Sequence, residues 1–347
     1  MWKRFKKHKI AFVSLVLLFL LSVSIICAEF FAPYGLNETS SYSYAPPTHI
    51  RFRNESGKFS LRPFVYDAQP AFDLNTGQTA WKVDTTAPHY LRLFIRGSSY
   101  RILGLKLDMH LFGAEGGHVF ILGTDALGRD VFSRLLYGGR VSLAIAFITA
   151  LFALIAGSIA GIVSGFFGGV ADMIIQRVIE LFMTIPNIPL GLALAAFLPP
   201  DLNPALLIAA ISMVIALVMW ANIARQVRGK ALPLRDAVHV QAAIALGAST
   251  PRVLFKHIFP AIYSHLVVVV TLAVPQAMLA EAGLSFLGFG VRPPLTSWGA
   301  LLQDAQNFRT ISLYPWVAVP GLAIAITVLL LNFVGDGLRD ATDPYLS

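Results

Sequence analysis

The 347-residue chain is 56% hydrophobic and only 13% charged, against about 25% charged in average soluble proteins, and its mean hydropathy is +0.67. Such a chain cannot be solvated on all sides and reads as a membrane protein, so its net charge of +8 is assigned to basic residues flanking apolar spans rather than to nucleic-acid binding. A single cysteine, Cys27, excludes an intrachain disulfide and leaves no multi-cysteine metal framework.

Residues 1–9 carry Lys3, Arg4, Lys6, Lys7 and Lys9, and an uncharged run follows, giving a first span over 10–29. That run exceeds the roughly 7–15 residues of a signal-peptide core and no small-residue cleavage site follows it, so a retained span is expected. Ile26 is too bulky for a lipoprotein cleavage site, which makes Cys27 a plain membrane-buried thiol. The positive-inside rule places Met1 in the cytoplasm.

Residues 30–122 are polar and mixed and hold no second run long enough to cross, so they form one extracytoplasmic insertion of β character. Ile50 and Phe52 alternate with Arg51 and Arg53, Asn54 to Gly57 offers a turn, and Phe59 and Leu61 resume the alternation. A second hairpin is expected from Tyr90 to Met109 about Gly97-Ser98-Ser99. No Ser/His/Asp or metal-ligand spacing stands out, so a small cap with structural or docking roles is the expectation.

A charged outer motif at 123–140 leads into a membrane core at 141–335. In the second span Gly157, Gly161 and Gly165 recur every fourth residue, leaving one helix face flat enough for a neighbour's backbone. The third span, from after Arg177 to about Leu198, is broken by Pro186 and Pro189. The fourth (Pro204 to Ala224) and fifth (Ile262 to Ala280) flank a basic loop at 225–260, and the sixth runs from about Trp316 to Val334, so the tail 336–347 is again cytoplasmic. Arg225, Arg228, Lys230, Arg235, Arg252 and Lys256 on that loop support this threading, since the outer loop Pro199 to Asn203 carries no basic residue. Val240, Ala243 and Leu246, then Gly247, then Val253, Leu254 and Ile258 before Pro260 read as a helical hairpin whose apolar face needs a partner.

No phosphate-binding loop exists; Gly229-Lys230 is followed by Ala231 and lacks the upstream glycine. There is no His-Glu-x-x-His, and Ser285 does not sit in a nucleophile elbow. Glu180, His265 and Glu281 fall near span ends and read as structural, which leaves an ion-gradient-driven secondary transporter as the alternative to a motor-driven one.

At the basic loop the chain resembles the inner-membrane permease subunits of bacterial ATP-binding-cassette importers, whose signature is Glu-Ala-Ala, a glycine after three residues, and Ile-x-Leu-Pro after nine more. Here the match is Gln241-Ala242-Ala243, Leu246-Gly247-Ala248 and His257-Ile258-Phe259-Pro260, with Gln, His and Phe replacing the signature's Glu, Ile and Leu. Gly123 to Leu143, Glu281 to Gly299 and Pro320 to Pro344 resemble the dipeptide/oligopeptide/nickel branch, in particular the second permease of the pair. The resemblance implies an all-α membrane protein with the six transmembrane helices of the type I importer permease fold, the β-containing insertion following the first helix. It also implies a heterodimer with a homologous permease in the bacterial inner membrane, membrane lipid around it, two cytoplasmic ATPase subunits and an extracytoplasmic solute-binding protein. On that reading this chain is not an enzyme and binds no cofactor, ATP and Mg residing on the partner subunits. Gln241 to Pro260 couples to the motors. Asp125, Arg129, Asp130, Arg134 and Arg140 are the charged residues of the outer motif, read as a salt-bridge network fixing the entry to the second span, with gating or direct solute contact as the alternative. Peptides, nickel and oligosaccharides are all carried within the family.

Overall fold

Runs of apolar residues become helices in a bilayer because only a helix satisfies every backbone polar group within one segment. The structure, a computed structural model, describes residues 2–53, 59–73, 78–102 and 105–342. Among them five helical stretches are long and apolar enough to cross: α1 (Lys9–Ile26), α2 (Val131–Phe167), α5 (Pro204–Arg235), the stretch Thr250–Phe286 that ends in α7 (Phe259–Phe286), and Pro315–Thr342, which ends in α8 (Val319–Thr342). A sixth is available from α3 (Gly169–Thr184) and α4 (Asn187–Ala196), which meet at 89°. Their break falls at Ile185-Pro186, where the proline forces Ile185 to extended backbone (ψ 130°). A short helix, α6 (Val238–Ala245), follows α5.

Helix ends depart from the apolar runs for local reasons. α2 starts ten residues before its run because Asp130 caps it, accepting the Ser133 N–H at 2.7 Å. α3 begins at Gly169 rather than after Arg177, so Arg177 and Glu180 lie inside it, on an exposed face where they pair at 2.7 Å. Glu180 is therefore well within the helix and not at its end. α5 continues through Pro233 to Arg235, so residues 225–235 of the expected loop are helical.

Contacts divide the chain into two units, one of Met1–Leu20, Ser142–Val291 and Ile324–Ser347, the other of Leu21–Val141 and Arg292–Ala323. The first is helical. Its seam is the face of α2 carrying Gly157, Gly161 and Gly165, which lies directly against α5. A Cβ at Gly157 would stand 2.7 Å from Ile223 Cβ, at Gly161 2.5 Å from the Ala224 carbonyl oxygen, and at Gly165 2.8 Å from Ala231 Cβ. Beside the seam, Asp172 of α3 receives a two-pronged hydrogen bond from Arg228 of α5 (Nε and Nη2, both 2.7 Å) and bonds the Ser164 hydroxyl of α2. Glu281 of α7 is fully buried and accepts hydrogen bonds from Ser142 Oγ (2.9 Å) and Ser285 Oγ (2.7 Å), so it is locked into packing against α2.

The second unit holds the strands β1 (Arg51–Arg53), β2 (Phe59–Val65), β3 (Ala68–Asp73), β4 (Gln78–Val83), β5 (His89–Ile102) and β6 (Leu105–Ala114). Four form an antiparallel sheet in the order β1-β2-β5-β6, and β3-β4 form a separate hairpin that sequence alternation does not announce. The β1–β2 pair is a hairpin with Arg53 opposite Phe59, and its turn lies outside the described residues. Gly97-Ser98-Ser99 is not a turn: β5 runs through it with a register shift, and Ile102 pairs Leu105, so the connection lies past Ile102. The shift makes room for the buried His110 ring, which a Cβ on Gly97 would meet at 2.6 Å. Phe59 and Leu61 are exposed rather than inward; the burial is at Phe64, Val65 and Tyr66.

The seam generates a contrast. Gly161→Val places branched atoms against the α5 backbone and is expected to destabilise the first unit by about 1–3 kcal/mol, as overpacking does. Gly229→Ala, where nothing lies within 4 Å of the new Cβ, should be neutral or stabilising. Melting of the detergent-purified protein, followed by size-exclusion profile, measures both; equal melting of the two variants would refute the seam.

Candidate functional site

Three features in the two units bear on function. The first is the hairpin between α5 and α7. α6 ends at Ala245 because Gly247 adopts φ +80°, and the N–H groups of Ala248 and Gly247 return to the carbonyls of Ala243 (3.0 Å) and Ile244 (2.9 Å), a Schellman closure. A single turn, Thr250–Val253, and a π-helical turn, Leu254–Ile258, then lead into α7, with Pro260 at its start. The wider π turn suits a proline that has no N–H to continue an α ladder. Val240, Val253 and Ile258 are wholly buried and pack with Ile162 and Phe166 of α2 and Leu234 of α5. The hairpin is thus clamped to the ends of two helices.

Its other side is bare. Val238 (85% exposed), Leu246 (89%) and Phe255 (76%) project from it. Of the apolar face Val240, Ala243 and Leu246, Val240 is buried and Ala243 half-buried, while Leu246, past the last helical residue, is bare. Gln241 donates from Nε2 to the Arg235 carbonyl (2.8 Å), capping the end of α5. A glutamate there, an acceptor only, has no proton to give that carbonyl at neutral pH. Ala242 is exposed, and His257 is half-buried with its ring 6.4 Å from that of His239.

The second feature is the charged segment 123–140, which lies in the second unit. Asp125, nearly buried, accepts from the backbone N–H groups of Leu127 (2.9 Å) and Arg129 (3.0 Å), from Arg129 Nε (2.8 Å) and from the Arg134 guanidinium. Arg140 forks onto Glu29 (2.8 and 2.7 Å) and reaches the Ile26 carbonyl at the end of α1 (2.7 Å). That guanidinium holds the Glu29 carboxyl below its ordinary range. Gly123 and Gly128 take positive φ, and a Cβ on either would strike the backbone of Ala45 or Ser40. Asp130 is different. Burial pushes its carboxyl up to about 7 against the lowering effect of the Ser133 hydrogen bonds, and its Oδ1 has no partner among the described residues.

The third feature, which sequence reading missed, is a cavity of about 1270 Å³ in the first unit. Asn222, Gln226 and Lys230 of α5, Gln276 and His265 of α7, and Arg339 of α8 are among its lining, which includes no Asp or Glu. The clue was present in the spacing: residues 222, 226 and 230 stand at i, i+4 and i+8 on one helical face. No group of three potential metal ligands occurs among the described residues.

Comparison with known proteins decides what this assembly of helices is. Residues 153–347, more than half of the chain, match the family described as "Binding-protein-dependent transport system inner membrane component". The chain belongs to that family. Residues 1–47 match the "N-terminal TM domain of oligopeptide transport permease C". Among curated relatives, the dipeptide transport system permease protein DppC of Alkalihalophilus pseudofirmus is 40% identical over 67% of this chain and 74% of its own length. The oligopeptide transport system permease protein OppC of Bacillus subtilis is 41% identical (65% and 71%), and OppC of Haemophilus influenzae 38% (75% and 79%). Among solved structures, a chain of the MetNI methionine ABC transporter in inward-facing conformations aligns with a TM-score of 0.46 at 19% identity, covering 60% of this chain and 96% of that one. The family and these relatives make the protein a permease subunit of a binding-protein-dependent transport system of the peptide type.

The Asp130 site carries a pH prediction. Its folded carboxyl binds a proton between about pH 4 and about 7 that an unfolded aspartate (about 3.9) has released. Its contribution to stability is therefore fully present below about pH 4 and is lost as pH rises to about 7. Asp130→Asn, which keeps an oxygen for the Ser133 N–H, should flatten the fall in melting temperature between pH 5 and 8 and match or exceed the parent at pH 8. Parallel curves would contradict the assignment.

Proposed function

We propose that this permease forms one half of a membrane heterodimer of a peptide importer, driven by two cytoplasmic ATPase subunits and supplied by an extracytoplasmic solute-binding protein. The reading places the hairpin in the cytoplasm, where its basic residues satisfy the positive-inside rule. The observation that carries it is the hairpin itself: a short helix whose base is welded to α2 and α5 by Val240, Val253 and Ile258, while Val238, Leu246 and Phe255 stay uncovered. A rigid base with a bare apolar crest is what a soluble motor needs to pull on membrane helices. Nucleotide closure of the two motors would draw this hairpin and its counterpart together and tilt the spans between inward- and outward-facing states. ATP and Mg then belong to the partners, and this chain performs no hydrolysis of its own. The names of the relatives, permeases of dipeptide and oligopeptide systems, support a peptide as solute.

Gly247 tests the docking role separately from folding. Nothing lies within 4 Å of a Cβ there, so substitution acts through the positive φ alone. Gly247→Val should cost roughly 1–2 kcal/mol at the turn and misalign the crest, whereas Gly247→Asn, tolerant of left-handed backbone, should behave nearly as the parent. In the purified complex the Val variant is expected to stay membrane-inserted and lose most binding-protein-stimulated ATPase activity. Full stimulation in that variant would refute docking through this loop.

The β-bearing segment supports a second test. Thr48 N–H bonds the Phe120 carbonyl at 2.8 Å, so the two ends of the segment are already joined. Replacing residues 51–116 by a short linker should preserve insertion and basal ATPase activity and weaken stimulation at limiting binding protein, if the segment helps seat that partner. Unchanged stimulation would make it dispensable to docking.

A further inference from the structure

The cavity of the first unit presents carboxamides that no protein group engages among the described residues. Asn222, Gln226 and Gln276 are exposed, and among the described residues none of their side chains makes a hydrogen bond. An amide left facing hydrocarbon costs several kcal/mol, so this wall faces water, solute or protein rather than lipid tails. The polar groups are ordered along the helices. Lys230 follows Gln226 and Asn222 at one-turn intervals, and at about 1.5 Å rise per residue it lies roughly 12 Å from Asn222, towards the hairpin. Opposite, His265 lies towards the same hairpin and Gln276 roughly 16 Å further along α7. Arg339, in the last turn of α8, lines the same cavity as Lys230 and His265.

Charge at that end is one-sided. Neither Lys230 nor Arg339 forms an ion pair among the described residues, and His265 Nε2 is buried there without a hydrogen-bond partner. Asp340, on the same helix as Arg339, lies outside the cavity wall and faces His8 at 3.7 Å. A free divalent cation would meet two positive charges and one imidazole with no carboxylate, an unfavourable setting for a hard or borderline ion. A carboxylate would meet the reverse. A peptide chain, in addition, offers amides that pair with the carboxamides of Asn222, Gln226 and Gln276.

Building on the importer reading, we propose that this face of α5, α7 and α8 is the solute path of the subunit, and that Lys230, His265 and Arg339 receive the solute's carboxylate at the hairpin end. The path is thereby built for anionic or zwitterionic solutes and against cationic ones.

Cysteine accessibility tests this in the whole transporter, co-expressed with its partners and reconstituted in proteoliposomes. In a Cys27→Ser background, Gln226→Cys and Gln276→Cys are labelled with a negatively charged and a positively charged thiosulfonate reagent, each rate normalised to a free thiol in solution. Both cysteines should react, and the anionic reagent should be faster at Gln226→Cys by about fivefold to tenfold, the effect expected of two nearby charges at intermediate dielectric. Adding Lys230→Gln with Arg339→Gln should bring the ratio close to one, and Lys230→Arg with Arg339→Lys should restore it. Cysteines that resist both reagents would show a dry wall and overturn the path; equal rates, or a ratio indifferent to the double neutralisation, would overturn the carboxylate site. Binding-protein-stimulated ATPase activity of the same samples reports on the importer reading independently, so loss of stimulation with an intact charge ratio would count against that reading alone.

Discussion

The arrangement of the first unit rests on a backbone-to-backbone approach. Gly157, Gly161 and Gly165 let α2 lie so close to α5 that a single methyl at the middle position would sit 2.5 Å from a carbonyl oxygen. In a bilayer there is no hydrophobic gain in pressing two apolar helices together, so contact has to come from dispersion at short range and from polar bonds across the seam. Both are present. The glycines supply the first, and Ser164, Asp172 and Arg228 supply the second just beside them. Because the same two helices carry Ile162, Phe166 and Leu234, closing the seam also builds the socket in which the hairpin is seated. A different face of α5 is then left for Asn222, Gln226 and Lys230.

Charges in this molecule fall into two economies. Asp125 with Arg129 and Arg134, and Glu29 with Arg140, are paired and satisfied by several donors, which is the condition under which buried ions are tolerated. Their work is architectural: they hold the start of α2 and the end of α1. Lys230 and Arg339, by contrast, stand in a cavity without counter-charges among the described residues. Both are exposed, so water can solvate them and an arriving anion meets them without first displacing a protein partner.

Much of this was legible in the sequence, and the reason is specific. Long apolar runs have one stable solution in a membrane, a four-residue glycine repeat has one geometric meaning on a helix, and Gly247 between two amphipathic pieces has one common use. What escaped reading was whatever depends on neighbours distant in the chain. Gly97 looks like a turn residue, yet it is small because His110, on the paired strand, needs its place. Asn222 and Gln226 share a helical face that a hydropathy run averages away, and the packing of α5 against α7 adds Gln276 to the same wall.

The π-helical turn at Leu254–Ile258 carries one more residue than an α turn of the same height. One residue in an α-helix is about 100° of rotation. The direction in which His265 and Gln276 point is therefore decided before α7 begins, by five residues of the hairpin. The loop that a motor would grip and the wall that a solute would touch share one angular setting. A change confined to the hairpin, by tightening that turn into an α turn, would swing apolar residues of α7 into the cavity and carry its polar ones away, with no alteration in the membrane helix itself.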